Sequence, residues 1–251
     1  MAPEKILIIV TDEDHFPMKK TSGQDVGKEV SQPSGYFLME LAKPLSKLLE
    51  NGYEVTFASP EGKEPTPDPN SESLLAFAGN FYERQRENEL IERMKKENGF
   101  SRPRRLDELT NEELDGFAGV LIPGGHAPIV QFGDNKELGR IMEHFHLKAK
   151  PTAAICHGPM AFLSTRTSSG EFLYKGYKIT SWSDQEERLM ETLMGGEIPK
   201  VEGQLKEAGA DMQTGVGEKI GQITVDRELV TGGNPMAANA IGDKFIEMLK
   251  T

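Results

Sequence analysis

The chain opens on an apolar run, Ile6-Leu7-Ile8-Ile9-Val10, with no polar residue alternating among the hydrophobic ones. An unbroken run of this kind suits a strand buried on both faces, as in a parallel sheet. Over residues 35–49 the period changes: Phe37, Leu38, Leu41, Leu45, Leu48 and Leu49 recur at helical spacing, and Asn51-Gly52 is the stop. Residues 53–58 are again rich in β-formers, so the opening reads strand, helix, strand, the crossover unit of a parallel sheet. Between the first strand and the first helix, residues 12–34 are long, polar and punctuated by Gly23, Gly27 and Pro33. They read as a loop, in a position where long loops are disproportionately functional.

From residue 60 to 106 the sheet pattern lapses into turns at Pro65, Pro67 and Pro69 and one charged helix over residues 78–97. Charges of both signs at spacings of three and four between Glu83 and Lys96 describe a solvated helix face. The segment has too few apolar residues for a core of its own, so residues 60–106 are expected to be an insertion or flap within a single domain spanning 1–251. The alternation then resumes with a strand at 119–123, a helix at 136–147 and a strand at 152–156 that leads into a helix from His157. A short hairpin at 177–181, helices within 184–194 and 200–208, strands at 222–225 and 228–231 and a final helix at 235–249 follow. This predicts an α/β fold with a mostly parallel sheet and helices on both faces.

Composition narrows the function classes. The chain of 251 residues carries a net charge of −11, which argues against nucleic acid and against an anionic membrane surface as partners. The first apolar run is too short for a signal peptide or a membrane span. The single cysteine, Cys156, rules out an intramolecular disulfide and a Cys-rich zinc site, and a cytoplasmic, reducing location is expected.

Cys156 ends an apolar strand and begins a helix, in Ala153-Ala154-Ile155-Cys156-His157-Gly158-Pro159. A sharp strand-to-helix turn presents a nucleophile at the top of a sheet and needs small flanking residues, which Ala154 and Gly158 supply. The helix N-terminus behind it is expected to make the thiol ionise more readily than a free one. In such a fold the loops after the strands converge at their C-terminal edge, which selects the helix carrying Glu40, the Gly124-Gly125-His126 loop, Cys156-His157 and residues 182–187. Backbone N–H groups of the glycine pair, with that of His157, would form an oxyanion hole. His157 beside the thiol is a proton carrier that needs a carboxylate to hold its tautomer, and Asp184, Glu186 and Glu187 are the nearest suppliers. His144 and His146 stand two apart on a helix, face different ways and have no third ligand, so no metal is expected there.

Pro123-Gly124-Gly125-His126, Ala154-Ile155-Cys156-His157-Gly158-Pro159 and Thr231-Gly232-Gly233-Asn234-Pro235 together resemble the ThiJ/PfpI superfamily of class I glutamine amidotransferase-like folds, over nearly the whole chain. The segment from Gly35 to Glu40 and the insertion before Gly124 are similar to the branch of heat-shock chaperones that are also glutathione-independent glyoxalase III enzymes. The resemblance implies a flavodoxin-like sandwich and a lyase of the glyoxalase III type that converts methylglyoxal, or a similar 2-oxoaldehyde, to lactate or a related 2-hydroxy acid. Cysteine amidase, peptidase or deglycase chemistry and a holdase chaperone are its other implications. It implies Cys156 as nucleophile, His157 as the adjacent catalytic histidine and Glu40 as the carboxyl group that hydrogen-bonds the thiol. Glu187 follows as third member by spacing, with Asp184 second, while Gly124, Gly125 and His126 form the oxyanion and substrate-binding loop. A carboxyl group beside a thiolate raises the thiol pKa, so Glu40 is expected to help only as a protonated donor. Some relatives bind zinc through a histidine on the helix after the Glu40 position; residues 41–49 have none, and no metal or cofactor is expected. The expected partners are a small 2-oxoaldehyde, a second copy in a homodimer and unfolded client proteins.

Overall fold

The computed structural model describes residues 3–72, 80–165, 170–215, 217 and 220–251. Its centre is a seven-stranded sheet built from β1 (Lys5–Ile9), β4 (Glu54–Ser59), β5 (Arg104–Arg105), β6 (Phe117–Ile122), β7 (Thr152–Ile155), β11 (Ile223–Asp226) and β12 (Leu229–Gly232). The order across the sheet is β11-β12-β7-β6-β1-β4-β5, parallel throughout except for the β11–β12 pair at one edge. Side chains alternate across a strand, so Ile6 and Ile8 enter one hydrophobic cluster while Leu7 and Ile9 enter another on the opposite face. Both faces are covered, which explains why the opening run shows no polar alternation.

Helices Leu38–Glu50, Phe81–Glu97 and Ala238–Leu249 cover the first face, and Lys136–Leu147, Met160–Leu163 and Val201–Ala208 the second. The α/β reading with a mostly parallel sheet holds. Three local readings change. Residues 12–34 are not a plain loop: β2 (His15–Lys20) and β3 (Glu29–Pro33) form an antiparallel hairpin, joined on the β2 side by β9 (Gly196–Glu197). Phe16, Met18 and Ile198 pack beneath it in a third, small cluster. The hairpin expected at 177–181 is instead β8 (Lys178–Ile179), paired in parallel with the distant β10 (Asp211–Met212). The helix expected from His157 is a single turn, Met160–Leu163, preceded by tight turns.

The 60–106 segment is built into the molecule rather than laid over it. Its last residues add β5 to the sheet edge, and Ile91, Met94 and Phe100 join the same core as the first helix. Residues 78–79 of the expected charged helix lie outside the described residues; the helix itself runs Phe81–Glu97. Its surface is solvated as expected except on one stripe, where Glu87 is also buried at 4% exposure. Among the described residues, neither Glu87 carboxylate oxygen has a hydrogen-bond partner. Lys43 on the first helix pairs with Glu83 at 2.7 Å instead.

Burial raises the Glu87 pKa to about 7, with Glu83 adding to the rise and Lys43 and Arg86 opposing it. An acid whose pKa is higher folded than unfolded favours folding at low pH and loses that contribution as pH rises toward the folded value. Urea denaturation of wild type and Glu87→Gln at pH 4.5 and pH 8 will show wild type losing stability relative to the variant across that interval. Parallel pH profiles would overturn this assignment.

Candidate active site

Cys156 follows β7 with φ +60°, in the left-handed region that a non-glycine residue enters at a cost of about 1–2 kcal/mol. Three backbone hydrogen bonds hold it there. Cys156 N–H donates to Gly232 O at 2.9 Å, Trp182 N–H to Cys156 O at 2.8 Å and Gly158 N–H to Ile155 O at 2.8 Å. The turn is crowded: a Cβ on Gly158 would stand 2.3 Å from Ile122 O, and one on Gly124 would stand 2.7 Å from His157 N and 2.8 Å from Cys156 Cβ. A small residue is required at Gly158 after the cysteine, as the strand-to-turn pattern implies, and also at Gly124 on the neighbouring loop.

Glu40 lies in the first turn of the first helix, with none of its surface exposed. Its Oε2 accepts the Gly124 N–H at 3.0 Å, while among the described residues Oε1 has no well-formed hydrogen bond and has the Cys156 thiol as a polar neighbour. Burial raises the Glu40 pKa to about 8, against the lowering effects of Cys156 and the Gly124 N–H. At neutral pH the carboxyl is therefore protonated, and with Oε2 occupied as an acceptor the proton belongs on Oε1, where it can be donated to sulfur.

The thiol itself departs from expectation. Burial, and secondly the Glu40 charge, push Cys156 well above the ordinary cysteine value, while the Gly125 and His157 N–H groups pull it down. A one-turn helix offers little dipole to counter desolvation. The thiol is not intrinsically acidic, so its proton needs an acceptor, and His157 Nδ1 lies 3.3 Å from Sγ. The other ring nitrogen, Nε2, is 2.9 Å from Glu187 Oε2. Burial raises the Glu187 pKa, but hydrogen bonds from His126 and His157 outweigh it and leave the value at about 2. An ionised carboxylate only accepts, so His157 carries its proton on Nε2 and presents an unprotonated Nδ1 to the thiol. Burial, then the neighbouring His126, lower the His157 pKa and keep the ring neutral. Among the three acidic residues at the start of helix Asp184–Met194, Glu187 therefore partners His157. Glu186 closes a capping box with Ser183, and Asp184 accepts from Gly203 N–H.

His126 stands in the expected loop, next to the relay, with its side chain turned to Glu187. Nε2 donates to Glu187 Oε1 at 3.1 Å, and the ring stacks on Phe16 with centroids 4.9 Å apart and lies 4.4 Å from the His157 ring. Gly124 N–H is committed to Glu40, so the backbone donors directed at the sulfur are those of Gly125 and His157. Gly125 has φ +105°, and a Cβ there would stand 2.1 Å from Gly35 O. Phe16 and Trp182, whose ring stacks against His157 at 5.8 Å, complete the walls. Phe16 is not among the sequence-derived candidates; the only signal for it in the chain is the two-residue spacing of Phe16 and Met18, which places both on one strand face. His144 and His146 diverge as expected, toward Asp115 and Glu228.

A family model described as ThiJ/PfpI family-like matches residues 32–192, which include Glu40, Cys156, His157 and Glu187. The chain is 27% identical to the protein/nucleic acid deglycase HchA of Staphylococcus aureus over 98% of its own length and 80% of that protein's. Among solved structures, glyoxalase III from Candida albicans superposes with a TM-score of 0.74 at 22% identity, covering 98% of this chain and 97% of the other. The Francisella tularensis Rapid Encystment Protein superposes with a TM-score of 0.76 at 20% identity, over 98% and 99% of the two chains.

Replacing Gly125 with alanine forces a Cβ against Gly35 O and a side chain into an unfavourable φ. Gly125→Ala is expected to cost about 1–3 kcal/mol, measured by urea denaturation, and to slow alkylation of Cys156 by iodoacetamide; a variant as stable as wild type would contradict the geometry.

Proposed function

Because this chain belongs to the ThiJ/PfpI family, we propose that it is an enzyme of the glyoxalase III type, acting on methylglyoxal or a similar small 2-oxoaldehyde through Cys156. The observation that carries this reading is the buried relay Cys156 Sγ, His157 Nδ1, His157 Nε2, Glu187 Oε2, with links of 3.3 and 2.9 Å, beside a neutral Glu40. His157 takes the thiol proton as sulfur adds to the aldehyde carbon, and returns it to the new oxyanion to give a hemithioacetal. In this reading the N–H groups of Gly125 and His157, which face sulfur, stabilise that oxyanion as it forms. Neutral again, His157 removes the hydrogen from the former aldehyde carbon and delivers it to the adjacent carbon through an enediol. A thioester results, and water releases the 2-hydroxy acid and restores the thiol. One carbon is oxidised as its neighbour is reduced, so the electrons balance within the substrate. Ionised Glu187 stabilises each imidazolium, and Glu40 donates to sulfur without adding a second negative charge.

Deglycase chemistry on glycated protein or nucleic acid is the second reading, favoured by the name of the S. aureus relative. The near-closure of the site supports a small substrate over a macromolecule: Cys156 is 4% exposed, Glu187 1% and His157 not at all.

Lactate formed from methylglyoxal without glutathione tests the proposal. Wild type should produce it, Cys156→Ala should not, and Glu187→Gln should lose about 10²–10⁴-fold in kcat. Activity should fall as pH rises through about 8, where Glu40 ionises beside the thiol. Glu40→Gln, which cannot ionise, should be slower overall and lack that alkaline limb. Inactivity on methylglyoxal with release of the adduct from a glycated peptide would move the second reading ahead.

A further inference from the structure

We propose that His126, His157 and Glu187 constitute a binding site for a divalent transition-metal ion of the Zn²⁺ class, and that occupancy of the site switches the cysteine off. The inhibitory half rests on the reading of Cys156 and His157 as the reacting pair; the binding half does not.

The donor atoms of the three residues all lie within 4.8 Å of one another. His157 Nε2 stands 2.9 Å from Glu187 Oε2, and His126 Nε2 stands 3.1 Å from Glu187 Oε1. Tetrahedral zinc, with bonds of about 2.0–2.2 Å to nitrogen and oxygen, spaces its ligands roughly 3.4 Å apart. A small outward adjustment of the carboxylate and an approach of the two imidazoles meet that spacing. Two imidazoles and one carboxylate are a donor set that suits zinc and its first-row neighbours, with a fourth position left open.

Charge gives a reason for an ion to enter. Glu187 is 1% exposed, and among the described residues its only ion-pair partners are His126 and His157, with no Lys or Arg. A desolvated carboxylate held by two imidazoles is an incompletely compensated anion. The route is short: the His126 side chain is 14% exposed, the most open of the three.

The consequence follows from ring chemistry. In the metal-free site both histidines donate Nε2–H to Glu187. A metal on Nε2 moves the proton of each neutral ring to Nδ1. At His157, Nδ1 faces Cys156 Sγ at 3.3 Å. Metal-bound His157 therefore presents an N–H where the lone pair of an unprotonated nitrogen had faced the thiol, and it can no longer accept the thiol proton. The sulfur lies on the Nδ1 side of the ring, away from the three metal donors, so the switch acts without a metal–sulfur bond.

Protein treated with chelator and then titrated with ZnCl₂ in a calorimeter tests the site. Wild type and Cys156→Ala should each bind one equivalent, and His126→Ala should bind at least about tenfold more weakly. His126→Gln provides the same comparison with the stacking volume beneath Phe16 better preserved. On zinc addition, two-bond ¹H–¹⁵N spectra should show the His157 proton moving from Nε2 to Nδ1, which is tractable with five histidines in the chain. Lactate formation should fall with zinc and return with chelator. Absence of binding by wild type would overturn the proposal, as would binding lost in Cys156→Ala but kept in His126→Ala, which would place the metal on the thiol. Calorimetry and the tautomer shift are read without turnover, so inactivity on 2-oxoaldehydes would count against the proposed reaction and leave the metal site to its own result.

Discussion

The backbone at Cys156 is held in a conformation that the residue would not choose for itself, and the surrounding site takes its positions from that constraint. A φ of +60° places the side chain off the end of β7 instead of along it, and three hydrogen bonds, to Gly232 and from Trp182 and Gly158, fix the bend from three directions. Each of those partners belongs to a different segment: β12, the start of the Asp184–Met194 region, and the turn after the cysteine itself. The strained residue is therefore stable only when the parallel sheet is complete around it. The same crowding sets the glycines. Gly124 and Gly158 leave room for carbonyl oxygens less than 3 Å from where their Cβ atoms would be, and that close approach brings Glu40 and the Gly125 N–H to the sulfur.

Around this bend two buried carboxyl groups are driven to opposite states. Glu40 and Glu187 are both essentially inaccessible to solvent, yet one is raised to about 8 and the other lowered to about 2. Desolvation pushes both upward; the difference lies in what each can accept. Glu40 receives one backbone N–H on one oxygen, which is too little to hold a charge. Glu187 receives a ring N–H on each oxygen, and these hydrogen bonds favour its ionised form. A thiol between a neutral acid and a neutral imidazole meets no formal charge at rest. The negative end of the relay sits one ring away, where it stabilises a proton on His157 without repelling the sulfur.

Legibility from sequence followed periodicity. The β1, first-helix, β4 unit and β7 carry unbroken or helical apolar patterns, and they stand where the chain implied, with Cys156, His157 and Glu40 at the C-terminal strand ends. The β2–β3 hairpin was hidden because its apolar alternation is only two residues long: Phe16 and Met18 share one face, and Lys20 takes the next position on it. The β8–β10 pair has only two residues per strand, too few to show a period, and its partner lies more than thirty positions away. The choice of Glu187 over Asp184 and Glu186 was open to the residues alone because all three share the first turn of one helix. Structure decides it by giving the other two local tasks at the helix start. The thiol's acidity was misjudged for a different reason: position at a strand end is visible in sequence, whereas the extent of desolvation and the absence of a long helix behind the turn are not.

Access is where burial and chemistry meet. A relay this enclosed is protected from bulk water, and the group nearest solvent is His126, capped by Phe16 from the hairpin. Phe16 belongs to the smallest of the three hydrophobic clusters, with Met18 and Ile198 as its buried companions, and shares no core residue with the sheet's two faces. The contacts that hold the hairpin over His126 are thus separable from those that hold the strained cysteine, because the free energy of a local opening is set by the apolar area it exposes. The strained turn and the aromatic ring that caps His126 therefore rest on separate sets of contacts, the first on backbone hydrogen bonds of the sheet and the second on the small cluster under the hairpin.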